Sequence, residues 1–135
     1  MMRVVVDTNV FVSSILSPRN VPAQILDLIL SRRMILLVSE AILEEYREVL
    51  RREEFSFNPE TVQDLLRFIQ TYAEKITLTP LKISLPDASD EVFLACAQQG
   101  KADFLITGNK RHFPPSLCRP VTVASPSEFL GLFKE

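Results

Sequence analysis

The run Arg3-Val4-Val5-Val6, leading straight into Asp7, is the feature that most narrows what this chain can become. Consecutive β-branched residues are stiff at χ1 and favour a pleated strand. Their failure to alternate with polar residues marks a strand covered on both faces, as in a parallel sheet. Ligands of open parallel sheets bind beyond the carboxyl ends of the strands. Asp7 stands at such an end.

Further along, Thr8 to Leu16 reads as a helix closed by the turn cluster Ser17-Pro18-Arg19-Asn20, and Pro22 opens a second helix through about Arg32. Ile35 to Val38 is a second strand. Ser39 caps a helix with Ile42, Leu43, Tyr46, Val49 and Leu50 on one stripe, and Asn58-Pro59 starts another through about Tyr72. Lys75 to Leu78 is a short strand, Pro80 to Pro86 a connecting loop, and Ala88 to Gln99 a helix that Gly100 ends. Phe104 to Ile106 and Val121 to Val123 are strands on either side of the Pro114-Pro115 loop. Ser125-Pro126-Ser127-Glu128 is a capping box with proline at the first helical position. Such alternation predicts an α/β fold, a three-layer α/β/α sandwich around a central, mainly parallel twisted sheet. With 135 residues, 47% of them apolar, the chain is expected to form one domain, 1–135.

Scarcity excludes several chemistries. Only Gly100, Gly108 and Gly131 are present, none clustered, so neither a phosphate-binding loop nor a dinucleotide fingerprint can be written. His112 is the single histidine, which rules out a multi-histidine metal site and would force any Ser-His-Asp triad to recruit that one ring. Cys96 and Cys118 lack CxxC spacing and read as reduced thiols. No apolar run reaches about 18 residues and no secretory segment is evident, so a soluble, cytoplasmic protein without a membrane partner is expected. The net charge of −2 exerts no global pull on a polyanion. Any nucleic-acid binding must use a local basic patch or a metal.

Oxygen ligands remain, with seventeen carboxylates available. Asp7 sits at the mouth of the first strand, where it is either a site residue or the cap of the next helix. Asp90 shares a helical face with Phe93, Leu94 and Ala97 and so points inward, whereas Glu91 points elsewhere; a carboxylate on a packing stripe must be satisfied by a metal, a cap or a cation. Glu45 flanks the apolar stripe of its helix and can reach a cleft, or can serve as a boundary residue pairing with a base, while Glu44 falls on the solvated side. Asp103 opens the Phe104 strand and Asn109 closes it, with Thr107 between as a hydroxyl donor. If Asp7, Glu45, Asp90 and the Thr107–Asn109 turn converge, mutual repulsion raises the carboxylate pKa values unless a divalent cation neutralises them. Hard oxygen ligands select Mg2+ or Mn2+.

Four segments in this order resemble motifs of the PIN-domain family: Val4-Val5-Val6-Asp7-Thr8-Asn9-Val10, Ile42-Leu43-Glu44-Glu45-Tyr46, Asp87-Ala88-Ser89-Asp90-Glu91-Val92-Phe93-Leu94, and Ala102-Asp103-Phe104-Leu105-Ile106-Thr107-Gly108-Asn109. The stretch Thr107-Gly108-Asn109-Lys110-Arg111-His112-Phe113-Pro114 is similar to one found in the toxin branch of toxin–antitoxin systems, related to VapC toxins. The resemblance implies a Mg2+- or Mn2+-dependent endoribonuclease acting on single-stranded RNA, with acids at Asp7, Glu45, Asp90 and position 109. An antitoxin partner and a homodimer are implied in the same way. Position 109 is Asn where many family members carry Asp, which replaces a charged ligand by a neutral amide; Asp103 is the residue that could supplement it.

On that reading Asn9, Thr107, Lys110, Arg111 and His112 lie where substrate would bind, the basic pair contacting phosphates and the ring a base. Two alternatives stay open. An acid-cluster phosphoryl-transfer domain would use Asp7 as nucleophile, but expects a second Asp at position 9, which is Asn. A non-catalytic RNA- or protein-binding module would tolerate the neutral Asn109.

Overall fold

The structure, a computed structural model, describes residues 1–80 and 84–133. In strand β1 (Arg3–Val6) the three valines are fully buried, as coverage on both faces requires. Helix α1 (Thr8–Leu16) follows with no intervening loop. Asp7 occupies its N-cap position in extended backbone, yet its side chain makes no capping bond and is left to face elsewhere. Asn20 caps α2 (Val21–Leu30) by accepting from Ala23 N at 2.9 Å. That helix stops two residues short of the expected Arg32, which turns to a positive φ of 61°. Its Ile25, Leu28 and Ile29 are buried in the core, while Leu30 at its end is exposed.

Strand β2 (Ile35–Val38) leads through the cap Ser39 into α3 (Glu40–Leu50), whose buried stripe is the expected Ile42, Leu43, Tyr46, Val49 and Leu50. Asn58 caps α4 (Pro59–Tyr72). Strand β3 is only Glu74–Lys75, so the expected Lys75–Leu78 strand survives at its first residue alone. Its sole neighbour β2 ends at Val38, paired with Lys75, and beyond one further bond from Ile76 N to Val38 O there is no ladder to extend. Of the expected Pro80–Pro86 loop, residues 81–83 lie outside the described residues.

The helix expected over Ala88–Gln99 is divided. A 3-10 turn (Ala88–Asp90) precedes α5 (Glu91–Gln99), and Asp90 is the junction. Gly100 does not adopt the left-handed cap conformation; its φ is −85°, and Lys101 takes the positive φ of 56° instead. Glycine is needed at 100 for space, because a Cβ there would stand 2.7 Å from the Cys96 carbonyl oxygen and 2.9 Å from Leu37 Cδ1. Strand β4 (Phe104–Ile106) is followed by a 3-10 turn at Lys110–His112 and a short α6 (Pro115–Cys118), neither expected from the sequence. Strand β5 (Thr122–Ala124) lies one residue later than expected, and α7 (Pro126–Leu132) carries the full Ser125/Glu128 capping box.

All five strands are parallel, in the order β3-β2-β1-β4-β5. The chain steps outward from β1 to β3, then crosses back to β4 on the other side of β1. Right-handed crossovers in opposite directions place helices on both faces, giving the α/β/α sandwich. The reversal falls between β1 and β4, which is where such sheets open a crevice at their carboxyl ends. Under that crevice Tyr46 meets Phe11 edge-on at 4.9 Å between centroids and approaches Phe93, so that α1, α3 and α5 share one aromatic cluster. The Tyr46 hydroxyl donates to the Val6 carbonyl, locking α3 to the end of β1.

Candidate active site

The β1–β4 register pairs Val6 with Ile106, so the next residues, Asp7 and Thr107, emerge side by side at the switch point. Asp7 N donates to Ile106 O at 2.9 Å and Thr107 N to Ala124 O at 3.0 Å, which fixes both backbones. Thr107 Oγ1 donates to Asp7 Oδ2 at 2.8 Å and accepts from Asn109 N at 3.0 Å. Asn9 bridges the two loops: its Oδ1 accepts from Gly108 N at 3.0 Å, and its Nδ2 donates to Asp7 Oδ2 at 3.3 Å.

Asp7 is only 7% exposed. Burial pushes its pKa up to about 6; the Thr107 hydrogen bond opposes the rise, and the charges of Asp90 and Glu45 add to it. Glu45 is half-buried and accepts from Thr8 Oγ1 at 3.0 Å, while Glu44 points to solvent and pairs with Arg47. Asp90, also buried, is raised by burial, against the pull of His112 and with the push of Asp87 and Glu45. Asp7, Glu45 and Asp90 therefore sit in one another's field.

The surroundings of Asp90 hold what sequence reasoning missed. Its Oδ2 is buried and lies 2.8 Å from His112 Nδ1, the two forming a close pair. The other ring nitrogen, Nε2, is 2.9 Å from Asn109 Nδ2. A line thus runs Asp90–His112–Asn109, and the amide of Asn109 is turned to the imidazole. Asp87 stands beside Asp90, its Oδ1 accepting from Ser89 N at 3.0 Å and Ser89 Oγ at 2.7 Å. Among the described residues, one ligand atom each from Asp87, Asp90 and His112 fall within 4.8 Å of one another. The Asp-x-x-Asp spacing was the available signal: a 3-10 turn has three residues per turn and aligns i with i+3. Asp90, a buried carboxylate that burial raises, together with the adjacent carboxylate of Asp87 and the imidazole of His112, is a donor set that a divalent cation relieves.

Other expected site residues are placed elsewhere. Asp103 lies at the opposite end of the sheet, where its Oδ2 accepts from Arg3 N at 2.9 Å. The expectation that it supplements Asn109 is corrected: β4 runs its whole length between them, and Asp103 instead secures the start of the β1–β4 pair. Lys110 forms an ion pair with Glu128 at 2.9 Å, tying the 3-10 turn to the cap of α7. Arg111 is exposed beside it. Phe113 is fully buried, whereas His112 keeps 40% of its side chain exposed.

A family model described as PIN domain matches residues 3–111. Uncharacterized protein MJ1680 of Methanocaldococcus jannaschii is 30% identical over 114 residues, covering 81% of this chain and 72% of that protein. The chain also superposes on a chain of the crystal structure of VapBC2 from Rickettsia felis bound to a DNA fragment from their promoter, with a TM-score of 0.59 and 17% identity, covering 92% of this chain and 98% of that one. Among the described residues no helix is long and apolar enough to cross a membrane.

Proposed function

The chain belongs to the PIN-domain family, and on that premise we propose that it is a divalent-metal-dependent endoribonuclease cutting single-stranded RNA in the cytoplasm, as the toxin of a toxin–antitoxin pair. The observation that carries this reading is the buried Asp7, raised to about 6 at the sheet's switch point and facing Glu45 and Asp90. PIN domains are generally nucleases, and such a carboxylate set is suited to holding a cation against an RNA phosphate.

Asp7, Glu45 and Asp90 would hold Mg2+ or Mn2+, with the Asn109 amide oxygen as a neutral fourth donor. An ion bound there supplies Lewis acidity toward a phosphate oxygen and makes a bound water more acidic. The chain's own groups do the remaining work. Thr107 holds the Asp7 carboxylate in one orientation, Asn9 ties the Gly108 turn over it, and Thr8 steers Glu45. Arg111 and, once freed from Glu128, Lys110 would meet flanking phosphates, and the exposed edge of His112 a base. The toxin label is supported by the likeness to the VapBC2 structure; an antitoxin partner and a homodimer belong to the same proposal.

One observation favours a second reading, a module that binds RNA or protein without cutting it: the Asn109 amide adds no charge to the cluster and is engaged with His112. Cleavage of labelled single-stranded RNA by wild type and Asp7→Asn, each with Mn2+ and with EDTA, separates the two. Cutting that needs both Asp7 and metal supports the nuclease. RNA binding without cutting at millimolar Mn2+ supports the module.

A further inference from the structure

Helix α3 serves two places. Glu45, midway along it, meets Thr8 at the acid pocket, and its last residues wall a cleft of about 370 Å3 against the start of α4. From Glu45 to Arg51 is about 9 Å of helix. The cleft is lined by the buried Leu50 and Val62 and by the half-buried Phe57. Phe55 stacks on Phe57 with centroids 5.3 Å apart and planes 11° from parallel, which fixes the Phe57 ring. Between the two rings Ser56 takes a positive φ of 50°, held by its N–H and its hydroxyl, both donating to Glu53 O. The remaining lining is polar. Arg51, Glu53 and Gln63 are exposed, and among the described residues none of these three side chains has a hydrogen bond or an ion pair, whereas Arg52 is taken up by Glu48. Clefts of about 300–1,000 Å3 with apolar and aromatic walls and a few polar groups are the usual form of a ligand site.

We propose that this cleft is a subsite for one nucleotide of single-stranded RNA flanking the acid pocket, its base lying against Phe57 and its phosphate meeting Arg51. The proposal rests on the RNA reading above and holds whether the RNA is cut or only bound. An aromatic wall gives a stacking face that any base can use, and an arginine without a partner is available to a phosphate. Glu53 then reads the base. Its carboxylate can only accept, so it favours the exocyclic amines of adenine, cytosine and guanine over uracil, which has none. Gln63 both donates and accepts, and serves the groups of the base edge that Glu53 leaves. A nucleotide carries its anion and its amine at separate ends, matching a cleft that presents a cation and an acid. An acidic peptide would meet Arg51 but gain nothing from Glu53. With Arg51 about 9 Å of helix beyond Glu45, a strand lying in the acid pocket reaches the cleft within a few nucleotides.

Adenosine, cytidine, guanosine and uridine 5′-monophosphates, titrated into 15N-labelled protein in EDTA, test the subsite without any cleavage. The amides of Ser56, Phe57 and Gln63 should shift and saturate with nucleotide, while inorganic phosphate alone leaves Phe57 in place. Uridine monophosphate should bind about fivefold more weakly than the other three, and Glu53→Gln should bring it within about twofold of them. Arg51→Gln, a change at an exposed side chain, and Phe57→Leu should each weaken binding by roughly tenfold. Amides that stay in place at millimolar nucleotide, affinity unchanged in both variants, or uridine monophosphate bound as tightly as the rest overturns the proposal. RNA cleavage with a silent cleft would sink the subsite and keep the nuclease; a responding cleft in a protein that does not cut would keep the subsite and favour the binding module.

Discussion

The hydroxyl of Thr107 donates to Asp7 Oδ2 at 2.8 Å across a sequence separation of 100 residues. Both residues are buried, and the bond favours the charged form of Asp7 where burial opposes it. Thr107→Val keeps the shape and removes the donor. The Asp7 pKa should then rise beyond about 6, read by 13C carboxyl titration. Loss of a hydrogen bond to a charged group should cost about 1.5–3 kcal/mol of stability at pH 8 by urea unfolding. Thr107→Ser should restore both.

Asp7 also sets a pH dependence. Its folded pKa of about 6 exceeds the ordinary 3.8, so between those values the folded chain holds a proton that the unfolded chain has released. The stability tied to this group is therefore fully present below about pH 4 and is lost as pH rises through about 6, by about 3 kcal/mol at pH 8 in metal-free protein. Asp7→Asn should abolish that part of the decline, leaving the variant more stable than wild type at pH 8 in EDTA. Equal pH profiles for the two proteins would contradict the assignment.

Metal should reverse the same loss. Mn2+ at a hundred times its Kd should stabilise wild type by about 2.7 kcal/mol at pH 8. The gain should shrink below pH 6, where Asp7 is protonated, and should be largely absent from Asp7→Asn. Thermal melts with Mn2+ and with EDTA provide the check.

Tyr46→Phe tests the support beneath the site. The hydroxyl is fully buried and donates to the Val6 carbonyl, so its removal takes a donor from that oxygen next to Asp7. A cost of about 1–3 kcal/mol is expected, with metal affinity reduced because the end of β1 is released from α3.

Gly100→Ala should destabilise by about 1–3 kcal/mol through overpacking against Cys96 O and Leu37. Lys101→Gly should stabilise slightly, since Lys101 carries the positive φ of this turn. The opposite pair of signs would mean that glycine at 100 serves backbone freedom rather than space.

Much of this could be read before any coordinates. The valine run, the caps Ser39, Asn58 and Ser125, and the stripe of α3 each depend on neighbours within a few residues, where propensity and periodicity act. Glu45 against Glu44 was decided by the helical wheel and stands as expected. The short strand after α4 failed because its end depends on where β2 stops, which no local pattern contains. The helix before Gly100 failed at its start, where a 3-10 turn replaces the first α turn and brings Asp87 over Asp90.

By itself the sequence determined the alternation of strands and helices and which acids stand at strand ends or on inward faces, because those follow from side-chain sterics and periodicity along a few residues. Only the tertiary structure decided that β4 lies beside β1, so that Thr107 rather than Asp103 reaches Asp7, and that the Lys110–His112 turn folds His112 back onto Asp90. Strand pairing and loop closure are settled by burying the whole core at once, and that energy belongs to contacts about a hundred residues apart in the case of Asp7 and Thr107.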